Sequence, residues 1–470
     1  MAVHGVHIPT ATEELKPDTG ERLTRPFARF AALSSSGGLV LLACTIAALI
    51  WANASDEAAH SYHHLFHEVM LAIGITDGVG FTKNLHWWIN DGLMAVFFLL
   101  VGLEIKRELL VGELASIKKA SLPIVAAIGG MVAPALIYAA FNFGNESIHG
   151  WGIPMATDIA FALGILALLG PRVPTSLKVF LTSLAIADDL GALLVIAIFY
   201  TENLQTVYLM YSGAVMALLF ALNLMGFRRA IWYLIPGVVL WYFIYSSGVH
   251  ATIAGVLLAA TIPVASRVDS RRYLSYSRAA LDAFEEHSVP GRDVKTNSDQ
   301  RAAVYAIEKN NKFLMPLLHR MEGGIHPWAA FFIIPIFALA NAGVHVHGGI
   351  GQAASGPISM GIILGLFVGK PVGIIVSCYI ATKLKIASLP TGVSWRHILG
   401  VGFLAGIGFT MALFIANLAF ANNDDNLEHA KVGILLASFL SSIVGLGILL
   451  TCKPKPEPEP DELGPEIDSH

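Results

Sequence analysis

Charge is scarce in this chain. Asp, Glu, Lys and Arg make up 14% of its 470 residues, while 55% are hydrophobic and the mean hydropathy is +0.64. Soluble proteins are nearer ~25% charged, so an ordinary water-soluble globule is excluded and a polytopic membrane protein is expected. Cysteine is scarcer still. Cys44, Cys378 and Cys452 all fall in or at the edge of apolar runs, which excludes a disulfide framework and a thiolate metal site. Met1–Ser36 is mixed and polar, with no short apolar core before a small-residue cleavage site, so no cleavable signal peptide is expected.

What is present is a series of about twelve apolar runs, at 37–52, 88–105, 122–143, 152–169, 176–200, 205–226, 229–247, 249–265, 327–345, 358–381, 400–421 and 431–451. Each approaches the ~20 residues that cross hydrocarbon as a helix, so the fold class is an all-α membrane protein. The weakest boundary is Ser246-Ser247-Gly248, between the seventh and eighth runs. With both termini on the cytoplasmic side and alternating loops, 27 of the 30 Lys and Arg residues fall on that side. Only Lys83 and Lys431 fall outside and Lys370 within a run, a bias that fixes orientation by the positive-inside rule. The chain divides into an N-terminal tail (1–36), a twelve-helix unit (37–452) and a tail (453–470) whose Pro/Glu richness reads as disordered. Within the unit, 265–316 reads as a variable cytoplasmic loop, helical in pattern over Ser277–His287. On the outside, Val69–Ile75 and Val79–Lys83 flank Thr76-Asp77-Gly78, a β-hairpin pattern.

The polar residues inside the apolar runs carry the chemistry. Asp188 and Asp189 sit mid-run, where a single charge costs at least ~2.5–3.5 kcal/mol. Consecutive helix positions point about 100° apart at ~3.6 residues per turn, so the carboxylates share a site while facing different partners. Two such close charges do not both ionise cheaply, which suits a proton-coupled cation site. Gly152–Asp158, with Pro154, and Gly402–Thr410, with Gly406 and Gly408, interrupt the fourth and eleventh runs. Such breaks survive only when buried in protein or lining a wet cavity. Placed alike in two halves, they point to an inverted-repeat transporter, spans 3–5 matching 10–12; two unrelated kinks are the other reading. Lys370, flanked by Gly369 and Pro371, is the one cation buried in a run and pairs with Asp188 or Asp189, or serves as a static bridge. Asp158 offsets helix-end charge and Thr157 lends an oxygen, or caps a helix.

Other polar residues have plainer readings beside the functional one. His250 tunes a pH response or is a hydrogen-bonded interfacial histidine. Glu104, Lys106, Arg107 and Glu108 line an ion entrance or simply end a helix. His60, His63, His64 and His67 recur on one helical face, a solvated polar face with the spacing of a divalent-metal site.

The runs Ala156-Thr157-Asp158-Ile159-Ala160-Phe161-Ala162-Leu163-Gly164 and Ala187-Asp188-Asp189-Leu190-Gly191 resemble the NhaA family of bacterial sodium/proton antiporters. So do Trp88-Ile89-Asn90-Asp91, Val101-Gly102-Leu103-Glu104, Gly248-Val249-His250-Ala251-Thr252, His326-Pro327-Trp328, Ala340-Asn341-Ala342-Gly343, Gly369-Lys370-Pro371 and Gly406-Ile407-Gly408-Phe409-Thr410-Met411. The resemblance covers roughly Gly37–Cys452 with its motifs in order. Inverted repeats are a described feature of this family, so the repeat reading is not independent of it.

The resemblance implies twelve helices, with crossed breaks in spans 4 and 11, and electrogenic, pH-regulated exchange of cytoplasmic Na+ or Li+ for more than one external H+ across the inner membrane. It implies no cofactor. Asp189 is then the principal carboxylate holding the transported Na+, with Asp188 beside it and paired to Lys370, and Thr157 and Asp158 supporting the crossing. Glu104, Arg107, Glu108, Glu322 and His326 form a pH-sensing cluster at the cytoplasmic entrance. The hairpin near 69–83 resembles the family's homodimer contact; membrane lipids are the remaining partners, and no nucleic acid is expected. Two departures bear on the pH set-point: Gly323 stands where a histidine is common, and His319 where a permanent cation is. A sodium-coupled solute symporter of similar architecture is the alternative. An intramembrane aspartyl protease, the enzyme alternative, lacks its Gly-x-Gly-Asp signature here, and a buried lysine with paired carboxylates fits alternating access better than a channel.

Overall fold

Hydrocarbon offers no partners for backbone N–H and C=O groups, so a chain this apolar satisfies them within helices. The computed structural model describes residues 2–3, 6–7, 36–76, 79–201, 204–265, 269–288, 295, 297–344 and 350–452. Among them nine helices are long and apolar enough to cross a membrane: Ser36–Asn53, Leu85–Leu110, Ile117–Asn142, Glu146–Leu168, Thr175–Phe199, Thr206–Leu224, Leu317–Asn341, Pro357–Lys383 and Asp424–Leu450. Trp395–Ala405 and Phe409–Ala419 make a tenth, bent by 43° at the intervening glycines. The runs 229–247 and 249–265 fold as the shorter helices Ile231–Ser246 and Ile253–Thr261. Between them Gly248 takes φ +86°, left-handed backbone that a residue without Cβ adopts readily.

The fourth span is broken from within. Glu146–Met155 is wound as a tight 3₁₀ stretch, Ala156 and Asp158 are extended, and an α-helix resumes over Ile159–Leu168. Behind it, Ile117–Asn142 packs along Pro357–Lys383. At Gly129 and Gly373 the two backbones touch, so a Cβ on either would strike the other's carbonyl. Small residues of this kind let membrane helices approach closely. A π-helical turn, Gly365–Gly369, ends immediately before Lys370.

Among the described residues, the buried apolar ones form two clusters. The larger surrounds the broken spans, and the smaller lies among Leu99, Leu103, Leu219, Tyr233, Leu240 and Leu258. Thr206–Leu224, by contrast, leaves Met210, Leu218 and Leu224 exposed, as a lipid-facing helix does.

Outside the membrane-crossing helices, two sequence expectations meet the structure. The antiparallel hairpin is present as Met70–Thr76 and Val79–Asn84, with Leu71 opposite Lys83 and a bulge between Gly74 and Thr76; its turn residues Asp77 and Gly78 lie outside the described residues. The loop 265–316 is not simply a loop. Ser270–Glu286, capped by Asp269, packs against Ser298–Leu314, capped by Asn297, and Tyr273 Oη donates to Asn311 Oδ1 at 2.7 Å. Its helical pattern was legible only over Ser277–His287 because each helix covers a narrow apolar stripe shared with its partner. The tail 453–470 and most of the first 35 residues lie outside the described residues.

Candidate functional site

The two chain breaks are bonded to each other. Asp158 N donates to Ile407 O at 2.7 Å, joining the break of the fourth span to that of the bent pair. Its carboxylate does double service. Oδ1 accepts from Phe161 N at 3.0 Å and caps Ile159–Leu168. Oδ2 accepts from Thr410 N at 3.1 Å and Thr410 Oγ1 at 2.6 Å, at the start of Phe409–Ala419. One buried carboxylate thus faces two helix N-termini, where partial positive charge stabilises an anion. Asp158, not Thr157, is the cap. Thr157 Oγ1 lies 2.7 Å from Asp188 Oδ2 and 2.9 Å from Ala405 O, a carbonyl left without a helical partner by the break.

Asp188 and Asp189 are each 1% exposed, and their surroundings differ. Asp188 Oδ2 lies 2.5 Å from Lys370 Nζ, and Lys370 also donates to Met155 O. The ammonium therefore bridges the aspartate helix to the end of the 3₁₀ stretch. Asp189 faces the other way and lines a cavity of about 620 Å³ that also touches Asp158, Thr410, Glu104, Arg107 and Glu322. Among the described residues, Asp189 Oδ1 is buried without a hydrogen-bond partner, as is Asp188 Oδ1. An orphaned carboxylate oxygen is costly, and a cation or a proton removes the cost.

The entrance residues gather less completely. Arg107 Nη1 lies 2.5 Å from Glu322 Oε1 and Nη2 lies 3.0 Å from Glu108 Oε1, so one guanidinium ties Leu85–Leu110 to Leu317–Asn341. Glu104, Arg107, Glu322 and His326 line the cavity; Glu108 reaches it only through Arg107, and His319 is not in its lining. Lys106 instead donates to Ala260 O (2.7 Å) and Ile262 O (2.5 Å), closing the C-terminal end of Ile253–Thr261. His250 lies apart, its Nε2 2.8 Å from Tyr200 O. The histidines of 60–67 stack in pairs, His60 on His64 and His63 on His67, and among the described residues no group of three or more His, Cys, Asp or Glu could hold a metal.

Sequence reasoning missed the main-chain acceptors Met155 O, Ala405 O and Ile407 O, which no side-chain pattern reveals. It also passed over Asn417, His86 and their bonds to Asn90 and Asn341. The available signal was the recurrence of Asn and His inside otherwise apolar runs.

The bond between Thr410 and Asp158 makes a direct prediction. Thr410→Val removes the 2.6 Å hydroxyl contact but keeps the shape of the side chain. It should cost about 1–3 kcal/mol, because the carboxylate it served is fully buried. A thermal midpoint equal to that of the unsubstituted protein would show that the crossing does not depend on this hydroxyl.

Residues 28–449 match the family model described as Na+/H+ antiporter 1. The chain belongs to this family. Relatives named Na(+)/H(+) antiporter NhaA are similar over nearly their whole length. One from Wolinella succinogenes is 50% identical over 412 residues, covering 87% of this chain and 90% of the relative. One from Oleidesulfovibrio alaskensis is 49% identical over 429 residues, covering 91% and 94%. A third, from Helicobacter pylori (strain ATCC 700392 / 26695), is 47% identical over 431 residues, covering 91% and 95%. The antiporter resemblance read from the Asp188-Asp189 and Lys370 motifs is borne out, and the chain is a multi-pass membrane transporter rather than an enzyme.

Proposed function

We propose that this antiporter exports cytoplasmic Na+ and Li+ across the bacterial inner membrane in exchange for external H+, with more than one proton per cation. The observation that carries the reading is the division of labour between neighbouring carboxylates. Asp188 is held by Lys370 and Thr157, whereas Asp189 faces the cavity with an oxygen that no group among the described residues satisfies. A bare Na+ needs such oxygens, and so does a proton. The two compete, and binding one requires release of the other.

On this reading the cavity opens to the cytoplasm past Glu104, Arg107 and Glu322, and both termini are cytoplasmic. The short helices Ile231–Ser246 and Ile253–Thr261 complete twelve passages, and spans 3–5 and 10–12 form the inverted repeat whose breaks cross at Asp158. The entrance cluster, with Glu108, His326, His319 and the distant His250, sets the pH response. The hairpin joins two copies, because among the described residues no third strand pairs with its edges.

Cation-driven change of ΔpH in everted membrane vesicles, with Na+, Li+ and K+ in turn, tests the exchange. Competition at Asp188 and Asp189 adds a sharper expectation. The apparent affinity for Na+ should rise about tenfold per pH unit for each proton displaced, until the carboxylates are fully ionised. An affinity unchanged between about pH 6 and about pH 9 would argue against shared occupancy.

A further inference from the structure

The cations on the Arg107–Glu322 side of the molecule fall into two groups. One group is bonded in place: Arg107 to Glu108 and Glu322, Lys106 to Ala260 O and Ile262 O, Arg228 to Asn223 Oδ1 and Arg320 to Arg228 O. The second group is not. Among the described residues no salt bridge reaches Lys178, Lys383, Lys385 or Arg396, although Lys383 lies 5.9 Å from the centre of the Tyr379 ring. Lys383, Lys385 and Arg396 are exposed and Lys178 is half-buried.

These cations share one surface. Ser176 Oγ donates to Thr391 O at 2.7 Å, which seats the start of Thr175–Phe199 against the connection from Pro357–Lys383 to Trp395–Ala405. Ser121 Oγ donates to Ile386 O at 3.4 Å and brings in the start of Ile117–Asn142, with exposed Lys118 and Lys119. Arg396 acts electrostatically on the Cys452 thiol, just past the end of Asp424–Leu450. Glu113 marks the edge of the patch: it pairs with Lys119 at 3.3 Å, and its N–H donates to Glu108 at the entrance. Across 114–121, 170–178, 383–397 and 451–452 the sequence has no Asp or Glu.

The patch is more positive than side chains alone make it. Ile117–Asn142, Thr175–Phe199 and Trp395–Ala405 all begin here, and none has an acidic residue in its first turn. A helix start carries about half a positive charge of its own, so Lys118, Lys119, Lys178 and Arg396 stand where a cation is disfavoured. The positive-inside bias accounts for the sign of this face, but it leaves the charges uncompensated.

The chain carries a matching anion. Past Cys452, residues 453–470 hold six carboxylates, Glu457, Glu459, Asp461, Glu462, Glu466 and Asp468, against two lysines. Extended chain spans at most ~3.6 Å per residue, so Glu457 lies within about 18 Å of Cys452 and Asp468 within about 58 Å. Packed helices stand ~8–10 Å apart, so the tail's reach covers the patch. Its tether also makes the encounter intramolecular, at an effective concentration of millimolar order.

We propose that residues 453–470 fold back over this patch, their carboxylates pairing with Lys178, Lys383, Lys385 and Arg396 as an anionic strap. The strap ties together the ends of the helices that carry Asp188 and Asp189, Lys370, and the glycine break. Anionic lipid headgroups offer these cations the same chemistry, but they lack the tether. The contact does not depend on the antiport reading.

Lysine acetylation by an amine-reactive ester, read by peptide mass spectrometry on the full chain in nanodiscs of zwitterionic lipid, tests the strap. Only the neutral amine reacts, and a carboxylate about 4 Å from an ammonium in water favours the charged form about fivefold. At about 0.1 M salt, Lys178, Lys383 and Lys385 should therefore react about fivefold more slowly in the unsubstituted protein than in a variant whose six tail carboxylates are all amides. At about 1 M salt, where the Debye length is ~3 Å, the two proteins should react alike. Lys83, beside Trp87 and Tyr245 on the external hairpin, should not differ between them. A difference under about twofold at about 0.1 M salt is what the diffuse charge of a free tail gives, and would overturn the proposal. Protection that appears only with anionic lipid, equally in both proteins, would assign the patch to headgroups and overturn it too. So would protection lost when each disc holds a single chain, which would make the contact one between copies.

Discussion

Asp189→Asn should abolish cation-driven exchange and leave the protein folded. The substitution is nearly isosteric, and among the described residues the carboxylate oxygen Asp189 Oδ1 makes no hydrogen bond that an amide would disrupt. What is lost is charge. At an effective dielectric of ~20 and a contact distance of ~2.5 Å, a carboxylate attracts a monovalent cation by about 6–7 kcal/mol. Losing even half of that weakens binding by more than about a hundredfold. An amide also does not titrate at physiological pH, so the competing half of the cycle disappears with it. The measurement is Na+-driven ΔpH in everted vesicles, with thermal unfolding of the purified variant as the control for folding. Full exchange by a well-folded Asp189→Asn protein would remove this residue from the centre of the mechanism.

Why Asp189 could be singled out from sequence, and its surroundings only in part, follows from what each interaction costs. Charge inside hydrocarbon is expensive, so Asp158, Asp188, Asp189 and Lys370 stood out against apolar runs. Pro154 and the glycines at 406 and 408 marked breaks for the same reason: they free backbone groups that lipid leaves unpaired. The long spans were legible from length alone. So were the seventh and eighth runs, although the helices that form in them, Ile231–Ser246 and Ile253–Thr261, are shorter than the runs 229–247 and 249–265. The joining of the breaks was not. Asp158 meets Ile407 and Thr410 across some 250 positions of chain, partly through main-chain atoms. The bonds among Asn90, Asn341 and Asn417 were harder to read, since an uncharged amide in a membrane span signals a site more weakly than a charge does. The entrance showed the reverse difficulty. Glu104, Lys106, Arg107 and Glu108 looked alike in sequence, yet Lys106 closes a neighbouring helix while Arg107 pairs with Glu108 and Glu322.

Lys370→Ala should destabilise the protein strongly, more than any surface substitution would. The ammonium is 1% exposed, 2.5 Å from Asp188 Oδ2, and bonded also to Met155 O. Removing one member of a buried ion pair typically costs about 3–5 kcal/mol, because the partner charge stays buried without compensation. Here Met155 O loses its donor as well, at the end of the 3₁₀ stretch that leads into the break. Thr157 remains against Asp188, but a single hydroxyl proton is shared between Asp188 and Ala405 O. The relief open to the variant is protonation of Asp188, which converts a buried anion into a neutral acid. Adding Asp188→Asn to Lys370→Ala should therefore restore part of the lost stability, a non-additivity that a double-mutant cycle reads directly. Transport separates the structural role from the electrical one. An ammonium repels Na+, so cation binding at Asp189 should survive in the single variant. On the proposed exchange, in which Asp188 trades Lys370 for a proton, fewer charges should move per cycle. Thermal melting of the purified proteins and charge moved per Na+ in proteoliposomes are the two measurements. A variant that melts with the unsubstituted protein and moves the same net charge would show that the Asp188–Lys370 pair neither holds the crossing together nor takes part in coupling.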